Sequence, residues 1–337
     1  MKKKLLYLGN KLSKHGNTTT VIETLGASFT QEGYEVIYAS EKKNQILRLL
    51  DMIFVTLFRV SEVDYVLIDT YSTSGFYYAL IMSQICRLFR KKYIPILHGG
   101  NLPKRLEKNP YFSQLIFSNS YVNVAPSHYL LKDFTDHGYE KVTYIPNTIE
   151  IEAYPFLNRT FETPRLLWVR SFSHLYNPMM AIEVASMLQV DFPDMVLCMV
   201  GPDKENLMIQ CQQYAATLGV PVLFTGQLAK EDWIELSKLY NVFINTTHVD
   251  NTPVSVIEAM ALGLPIVSTN VGGIPYLLSD GLDSILVPDG DAMQMSTAIK
   301  SLFKDEQLRN KLILNARNKA EGFDWSHAKQ KWFEILQ

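Results

Sequence analysis

The chain has 337 residues, enough for two domains of ordinary size, and its 47% hydrophobic content is that of a soluble globular protein. A net charge of −2 gives no sign of a nucleic-acid partner, and no apolar run approaches the roughly 18 residues that a membrane span needs. The charge is uneven, because residues 1–155 carry a net +4 and the remainder −6; the first half suits an anionic surface or a phosphorylated acceptor, or equally the ordinary scatter of solvated charge.

Lys2-Lys3-Lys4 precedes only Leu5-Leu6-Tyr7-Leu8, too short for the apolar core of a secretory signal, so residues 4–9 read as a first strand. A polar loop over 10–20 contains Gly16. A helix over 20–31 is stopped by Gly33, and 35–39 is a second strand. Strand, loop, helix, strand predicts a parallel sheet, and the absence of Gly-x-Gly-x-x-Gly argues against a dinucleotide site of the usual kind. Residues 46–60, ILRLLDMIFVTLFRV, carry Arg48, Asp51 and Arg59 as their only charges. They read either as a helix packed across the first domain or as an amphipathic segment on a membrane surface. A strand over 64–69, a turn and a helix over 76–89 follow; Arg87, Arg90, Lys91 and Lys92 suit that helix's C-terminal dipole. A strand over 93–97 delivers His98-Gly99-Gly100-Asn101 at its carboxyl end, where parallel sheets bind ligands, so His98 is a candidate functional residue. Lys104, Arg105 and Lys108 read as a polar loop. Then come a strand over 121–126, a helix over 128–137 capped by Ser127, a strand over 142–145 and a linker over 154–164.

The second half opens with a strand over 165–170 ending on Arg170. Helices over 178–189, 206–218 and 232–240 alternate with strands over 195–200 and 222–225, and the loop Gly226-Gln227-Leu228 follows the latter. A strand over 242–244 leads to a polar loop, to Thr252 as a helix cap, and to a helix over 254–262 stopped by Gly263. A strand over 264–268 and a tight turn, Val271-Gly272-Gly273-Ile274-Pro275, come next, and helices over 291–303, 305–321 and beyond Ser326 complete the chain. Free N–H groups at a helix N-terminus attract anions, and glycines let a ligand approach the backbone. Glu258, one turn into its helix, can accept two hydrogen bonds from vicinal hydroxyls of a ribose. Cys86, Cys198 and Cys211 form no recognisable spacing, which suits a reducing cytoplasm.

Asp250 and Glu258 with seven residues between them, the run Ala259-Met260-Ala261-Leu262-Gly263-Leu264-Pro265-Ile266-Val267-Ser268-Thr269, and Gly272-Gly273-Ile274-Pro275 together resemble the signature of family 4 glycosyltransferases. The resemblance implies an α/β fold of the GT-B kind, two Rossmann-like parallel-sheet domains facing a central cleft. Residues 1–155 would form the acceptor side and 164–322 the nucleotide-sugar side, with a terminal helix near 325–337 packing back on the first. It implies retaining transfer of a sugar from a nucleotide-diphosphate donor to a glycan or lipid-linked acceptor, with no cofactor and no metal. The setting would be the cytoplasm, with peripheral contact at the inner membrane surface as a further expectation.

By the same resemblance, Arg170 would stabilise the leaving diphosphate and Glu258 would hold the ribose. Asp250 and His98 would hold the transferred sugar, and N–H groups of Thr252, Val254 and Ser255 would fix its position. Asn177 would lie at the diphosphate and the loop of Gly16 near the donor phosphates, while backbone around Gly226 and Leu228 would approach the base. The chain departs from the family pattern in four places. Asp250 stands where Glu is usual, and Asn251-Thr252-Pro253 replaces a Gly-Phe-Gly run. Tyr176 and Asn177 occupy the positions of a Lys, and Thr148 replaces Gly after Pro146-Asn147. Two other functions remain open: a non-catalytic nucleotide-sugar-binding subunit, and a sugar-nucleotide epimerase on the same fold, which would alter the donor without an acceptor.

Overall fold

The computed structural model describes residues 3–12 and 20–337. The chain divides into two units, Met1–Thr148 with Trp325–Gln337, and Ile149–Asp324. The first unit runs β1 (Lys4–Leu8), α1 (Val21–Gln31), β2 (Glu35–Ala39), α2 (Gln45–Arg59), β3 (Tyr65–Thr70), α3 (Ser74–Leu88), β4 (Lys92–Leu97), α4 (Leu102–Lys108), α5 (Pro110–Phe117), β5 (Asn123–Ala125), α6 (His128–Asp136) and β6 (Val142–Tyr144). Its strands are all parallel, in the order β2-β1-β3-β4-β5-β6. Helices cover both faces, so a central strand such as β3 is buried at every position and reads as an apolar run, Tyr65-Val66-Leu67-Ile68, before Asp69 and Thr70. Leu6, Leu8, Val66 and Ile68 face the core under α2 to α6, while Leu5, Tyr7, Tyr65 and Leu67 face the opposite core. That alternation is the period of two that a pleated strand imposes.

Local chemistry sets the helix ends. The Asn44 side chain accepts from the N–H groups of Ile46 and Leu47 at the start of α2, and Ser127 Oγ accepts from Leu130 at the start of α6. The stretch of Lys104, Arg105 and Lys108, expected as a polar loop, is instead α4, and α5 follows it. Each has a proline in its first turn, where the missing N–H costs nothing, and Leu102, Leu106, Ile116 and Phe117 bury one side of the pair. The basic residues of that stretch occupy the solvent side or, like Arg105, brace a neighbouring loop by bonding the Ser72 carbonyl.

The second unit runs β7 (Arg165–Val169), α7 (Pro178–Gln189), β8 (Val196–Val200), α8 (Met208–Leu218), β9 (Val222–Gly226), α9 (Lys230–Ser237), β10 (Val242–Asn245), α10 (Val254–Ala261), β11 (Ile266–Thr269), α11 (Ile274–Leu277), β12 (Ile285–Val287), α12 (Ala292–Lys304) and α13 (Glu306–Glu321). The parallel sheet has the order β12-β11-β10-β7-β8-β9. Read from its other edge, this is the doubly wound dinucleotide-fold order, with the reversal of direction between β7 and β10. The chain ends in α14 (Trp325–Ile335), which belongs to the first unit. Phe29 meets Trp332 edge-on at 5.3 Å between ring centroids, and Lys329 pairs with Glu32 at 2.9 Å. No helix of the described residues is long and apolar enough to cross a membrane.

Candidate functional site

Arg170 directly follows β7 and Asn245 ends β10, so both stand at the point where the second sheet reverses direction. A crevice at the carboxyl ends of parallel strands opens at such a point. Arg170 Nε donates to Asn245 Oδ1 at 3.3 Å, and Nη2 pairs with Asp250 Oδ2. The backbone beneath this arginine is tightly packed: a Cβ at Gly201, φ +151°, would lie 1.8 Å from the Arg170 carbonyl oxygen. The Tyr176 ring lies 4.9 Å from the guanidinium carbon, a cation–π contact at one of the two positions where the family pattern has Lys. Burial raises the Tyr176 hydroxyl above its ordinary value although Arg170 pulls the other way, so it stays neutral. Asn177 is left-handed at φ +46° and its Oδ1 accepts from the Met180 N–H at 3.4 Å, which makes it the cap of α7. The side-chain oxygen of Asn177, the residue expected at the diphosphate, is engaged by its own helix, and its amide nitrogen lies outside that bond.

The loop carrying Asp250 is fixed from below. Asp250 Oδ1 accepts from the Asn251 N–H, and the Asp250 carbonyl accepts from Gly273, both at 2.8 Å. A Cβ on Gly272 would stand 2.4 Å from the Asp250 carbonyl oxygen, and one on Gly273 only 2.0 Å from that of Asn251. The paired glycines, expected to admit a ligand, thus admit the chain's own loop.

Pro253, not Thr252, takes the N-cap position of α10. Thr252 is buried beside it. The first intrahelical bond is donated by Val256, so the N–H groups of Val254 and Ser255 precede the ladder, and Ser255 Oγ is buried without a partner among the described residues. Glu258, one turn further, is 5% exposed. Its Oε1 accepts from the Tyr154 hydroxyl at 2.6 Å and meets Lys230 Nζ at 3.1 Å, while Oε2 is outside both contacts. Burial and the adjacent Glu258 push the Tyr154 hydroxyl far above its usual value, so it is a fixed donor. Gly226, left-handed at φ +71°, ends β9 and its carbonyl accepts from Gly201, while Leu228 packs on the core beneath α10.

In the first unit the reversal lies between β1 and β3. His98 follows β4, its N–H bonded to the Thr70 carbonyl at 2.9 Å. Its Nε2 lies 2.8 Å from Asp69 Oδ1, which also accepts from the Tyr7 hydroxyl at 3.0 Å. The Tyr71 ring lies 5.2 Å from the imidazole. Burial foremost, then Asp69, raises both tyrosine hydroxyls well above their ordinary value. Asp69 Oδ2 is buried without a partner among the described residues, and a Cβ at Gly9 would come within 2.3 Å of it. Gly16 lies outside the described residues.

Residues 155–319 match the family model described as glycosyl transferases group 1. The second unit belongs to that family. Among curated relatives, a sulfoquinovosyl transferase of Arabidopsis thaliana is 32% identical over 137 residues, which is 39% of this chain and 25% of the relative. An N,N'-diacetylbacillosaminyl-diphospho-undecaprenol α-1,3-N-acetylgalactosaminyltransferase of Campylobacter jejuni is 29% identical over 171 residues, 51% of this chain and 42% of the relative. The chain thus spans less than half the length of either. Solved structures share the whole architecture. Sucrose-phosphate synthase from Thermosynechococcus elongatus superposes with TM-score 0.80 at 15% identity, covering 99% of this chain and 98% of that one. HepE of Anabaena in complex with UDP-glucose gives 0.77 at 18% identity, covering 99% of both. The fold is the two-sheet GT-B fold of these glycosyltransferase structures.

Within the group 1 unit, the sequence reading did not single out Tyr154, Lys230 or Asn245, and in the first unit it passed over Tyr7, Asp69 and Tyr71. The end of a parallel strand was the available signal for Asp69 and Asn245. An Asp-x-Asp triplet is present, Asp289-Gly290-Asp291. Both side chains are engaged: Asp289 Oδ1 meets His248 Nδ1 at 2.7 Å, and Asp291 caps α12 through Gln294.

Proposed function

We propose that this chain is a retaining glycosyltransferase that moves a sugar from a nucleotide-diphosphate donor to a glycan or lipid-linked acceptor. The observation that carries the reading is Arg170, a guanidinium at a sheet reversal whose only charged partner among the described residues is a second site residue, Asp250. Around it the second unit collects what a nucleotide sugar needs. Two open N–H groups of α10 suit phosphate oxygens, and a buried carboxylate braced by Tyr154 and Lys230 suits ribose hydroxyls. In the proposed reaction the bond from the anomeric carbon to the diphosphate breaks and one to the acceptor oxygen forms on the same face. The acceptor's proton passes to the leaving phosphate oxygen, so the step needs no side-chain base and no metal. Arg170 would meet the charge that builds on the diphosphate. Asp250 would hold a hydroxyl of the transferred sugar, and in the first unit His98, braced by Asp69, would offer its imidazole to a sugar hydroxyl. The acceptor of the Campylobacter jejuni relative, a sugar diphospho-undecaprenol by its name, supports the lipid-linked class. Three buried thiols, Cys86 and Cys211 pushed up to about 12 by burial, suit a reducing cytoplasm.

Thermal melting with UDP, GDP, ADP, CMP and their common sugar conjugates tests this on wild type and Glu258→Gln. A ligand at a hundred times its dissociation constant adds about 2.7 kcal/mol, or several degrees. One nucleotide should raise the wild-type melting point and leave the variant unmoved. Equal shifts in both would remove Glu258 from the site, and no shift with any nucleotide or sugar conjugate would overturn the donor-site reading.

A further inference from the structure

Helix α2 is built inside out. Its inward side carries Arg48, buried and bonded to the carbonyls of Lys42 and Lys43 at 2.8 Å and to Asn10 Oδ1 at 2.9 Å, together with Met52 and Thr56. Its outward side carries Ile46, Leu47, Leu50, Phe54, Leu57 and Phe58, between 45% and 71% exposed. At about 100° per residue these six fall within a single arc of roughly 120°, and no charged or polar residue of the helix falls inside that arc. Asp51 borders it, half-buried. A surface helix normally presents polar residues to water, so a wholly apolar outward stripe marks a contact surface.

The surroundings select the partner. Helix α3 packs against α2, and Lys91 Nζ bonds the Val63 carbonyl just beyond α2, so the C-terminal ends of the two helices lie together. That end adds Leu88, 79% exposed, and Phe89, with Arg87 and Arg90 beside them; Lys42 and Lys43 flank the other end of the stripe. None of these four cations makes an ion pair among the described residues, whereas Arg59 is matched by Glu62. A protein partner would ordinarily find hydrogen-bonding groups in the contact, and this stripe offers none. Cations at both ends of an apolar stripe complement the headgroup and acyl layers of an anionic bilayer.

We propose that the first unit docks on an anionic lipid bilayer through α2 and the C-terminal end of α3, with the six apolar side chains inserted at the acyl boundary and the four cations among the headgroups. This rests on the first unit's surface alone, so its failure would leave the donor-site reading untouched. Flotation of the full chain with phosphatidylcholine vesicles, with and without phosphatidylglycerol, tests it beside Leu50→Glu/Phe54→Glu. Wild type should float with the phosphatidylglycerol vesicles at low salt, and the double variant should bind at least about tenfold more weakly at an unchanged melting temperature. Leu47→Glu/Phe58→Glu gives the same test should the first pair fold poorly. Wild type remaining at the bottom, or floating equally on phosphatidylcholine alone, overturns the proposal, as does equal flotation of wild type and variants. A wild-type dimer in sedimentation that the variants dissolve also overturns it, because the stripe would then meet a second copy of the chain.

Discussion

Arg170 pairs with Asp250, and this pairing makes the two residues separable by experiment. In the proposed donor site a diphosphate would compete with Asp250 for the guanidinium and be repelled by that carboxylate. Asp250→Asn should therefore bind the free nucleoside diphosphate more tightly, by about tenfold, while transferring sugar more slowly, since the sugar loses its acceptor oxygen. Arg170→Ala should lower kcat about 10²–10³-fold, the usual loss when one preorganised donor to a developing charge is removed. Titration calorimetry and initial rates on both variants check this; weaker diphosphate binding by Asp250→Asn would show that the pair acts as one unit. Arg170, Glu258 and His98 are legible in the sequence because each stands at a strand end or a helix start. Their partners are not, because Asp69 is 29 residues from His98 and Tyr154 is 104 residues from Glu258, and no local pattern connects groups that only the folded sheet brings together.

Among the elements, the turn after β11 distinguishes a glycine needed by a ligand from one needed by the fold. A methyl group on Gly273 would overlap the Asn251 carbonyl oxygen, so Gly273→Ala should cost more than the roughly 1–3 kcal/mol of ordinary overpacking. Gly219→Ala, at φ +67° with open space around it, should cost only the left-handed penalty of about 1–2 kcal/mol. Urea midpoints of the two variants measure the difference. A Gly273→Ala protein as stable as wild type but unable to bind nucleotide would restore the ligand-approach reading. Element positions were legible where periodicity and punctuation agree. Residues 35–39 and 178–189 form β2 and α7 as expected, and Gly263 ends α10 with the Leu264 N–H on the Ala259 carbonyl and its own N–H on Met260. The reading failed at α4, where Lys104, Arg105 and Lys108 read as a polar loop, and placed no element at α5; both helices, each with a proline in its first turn, are too short to show a period.

At the scale of the molecule, every group proposed for the donor side, Tyr154, Arg170, Lys230, Asn245, Asp250 and Glu258, lies within Ile149–Asp324, while α14 completes the first unit. The two tasks should therefore come apart. A fragment of residues 149–324 keeps its own sheet with a core on each face, so it should fold and retain the nucleotide-induced rise in melting temperature. Residues 1–148 alone would lose Ala328, Trp332 and Leu336 from the core that also holds Phe29, and should fold poorly. In the full chain, Trp332→Ala should cost about 3–5 kcal/mol, as for a large buried aromatic, and this loss should fall on the first unit. Calorimetry checks it through two transitions. The variant should lower one of them and leave untouched the one that nucleotide raises. If nucleotide instead raises the transition that Trp332→Ala lowers, or if the 149–324 fragment binds none, the donor site must draw on the first unit, and the assignment of nucleotide binding to Arg170, Asp250 and Glu258 alone would be incomplete.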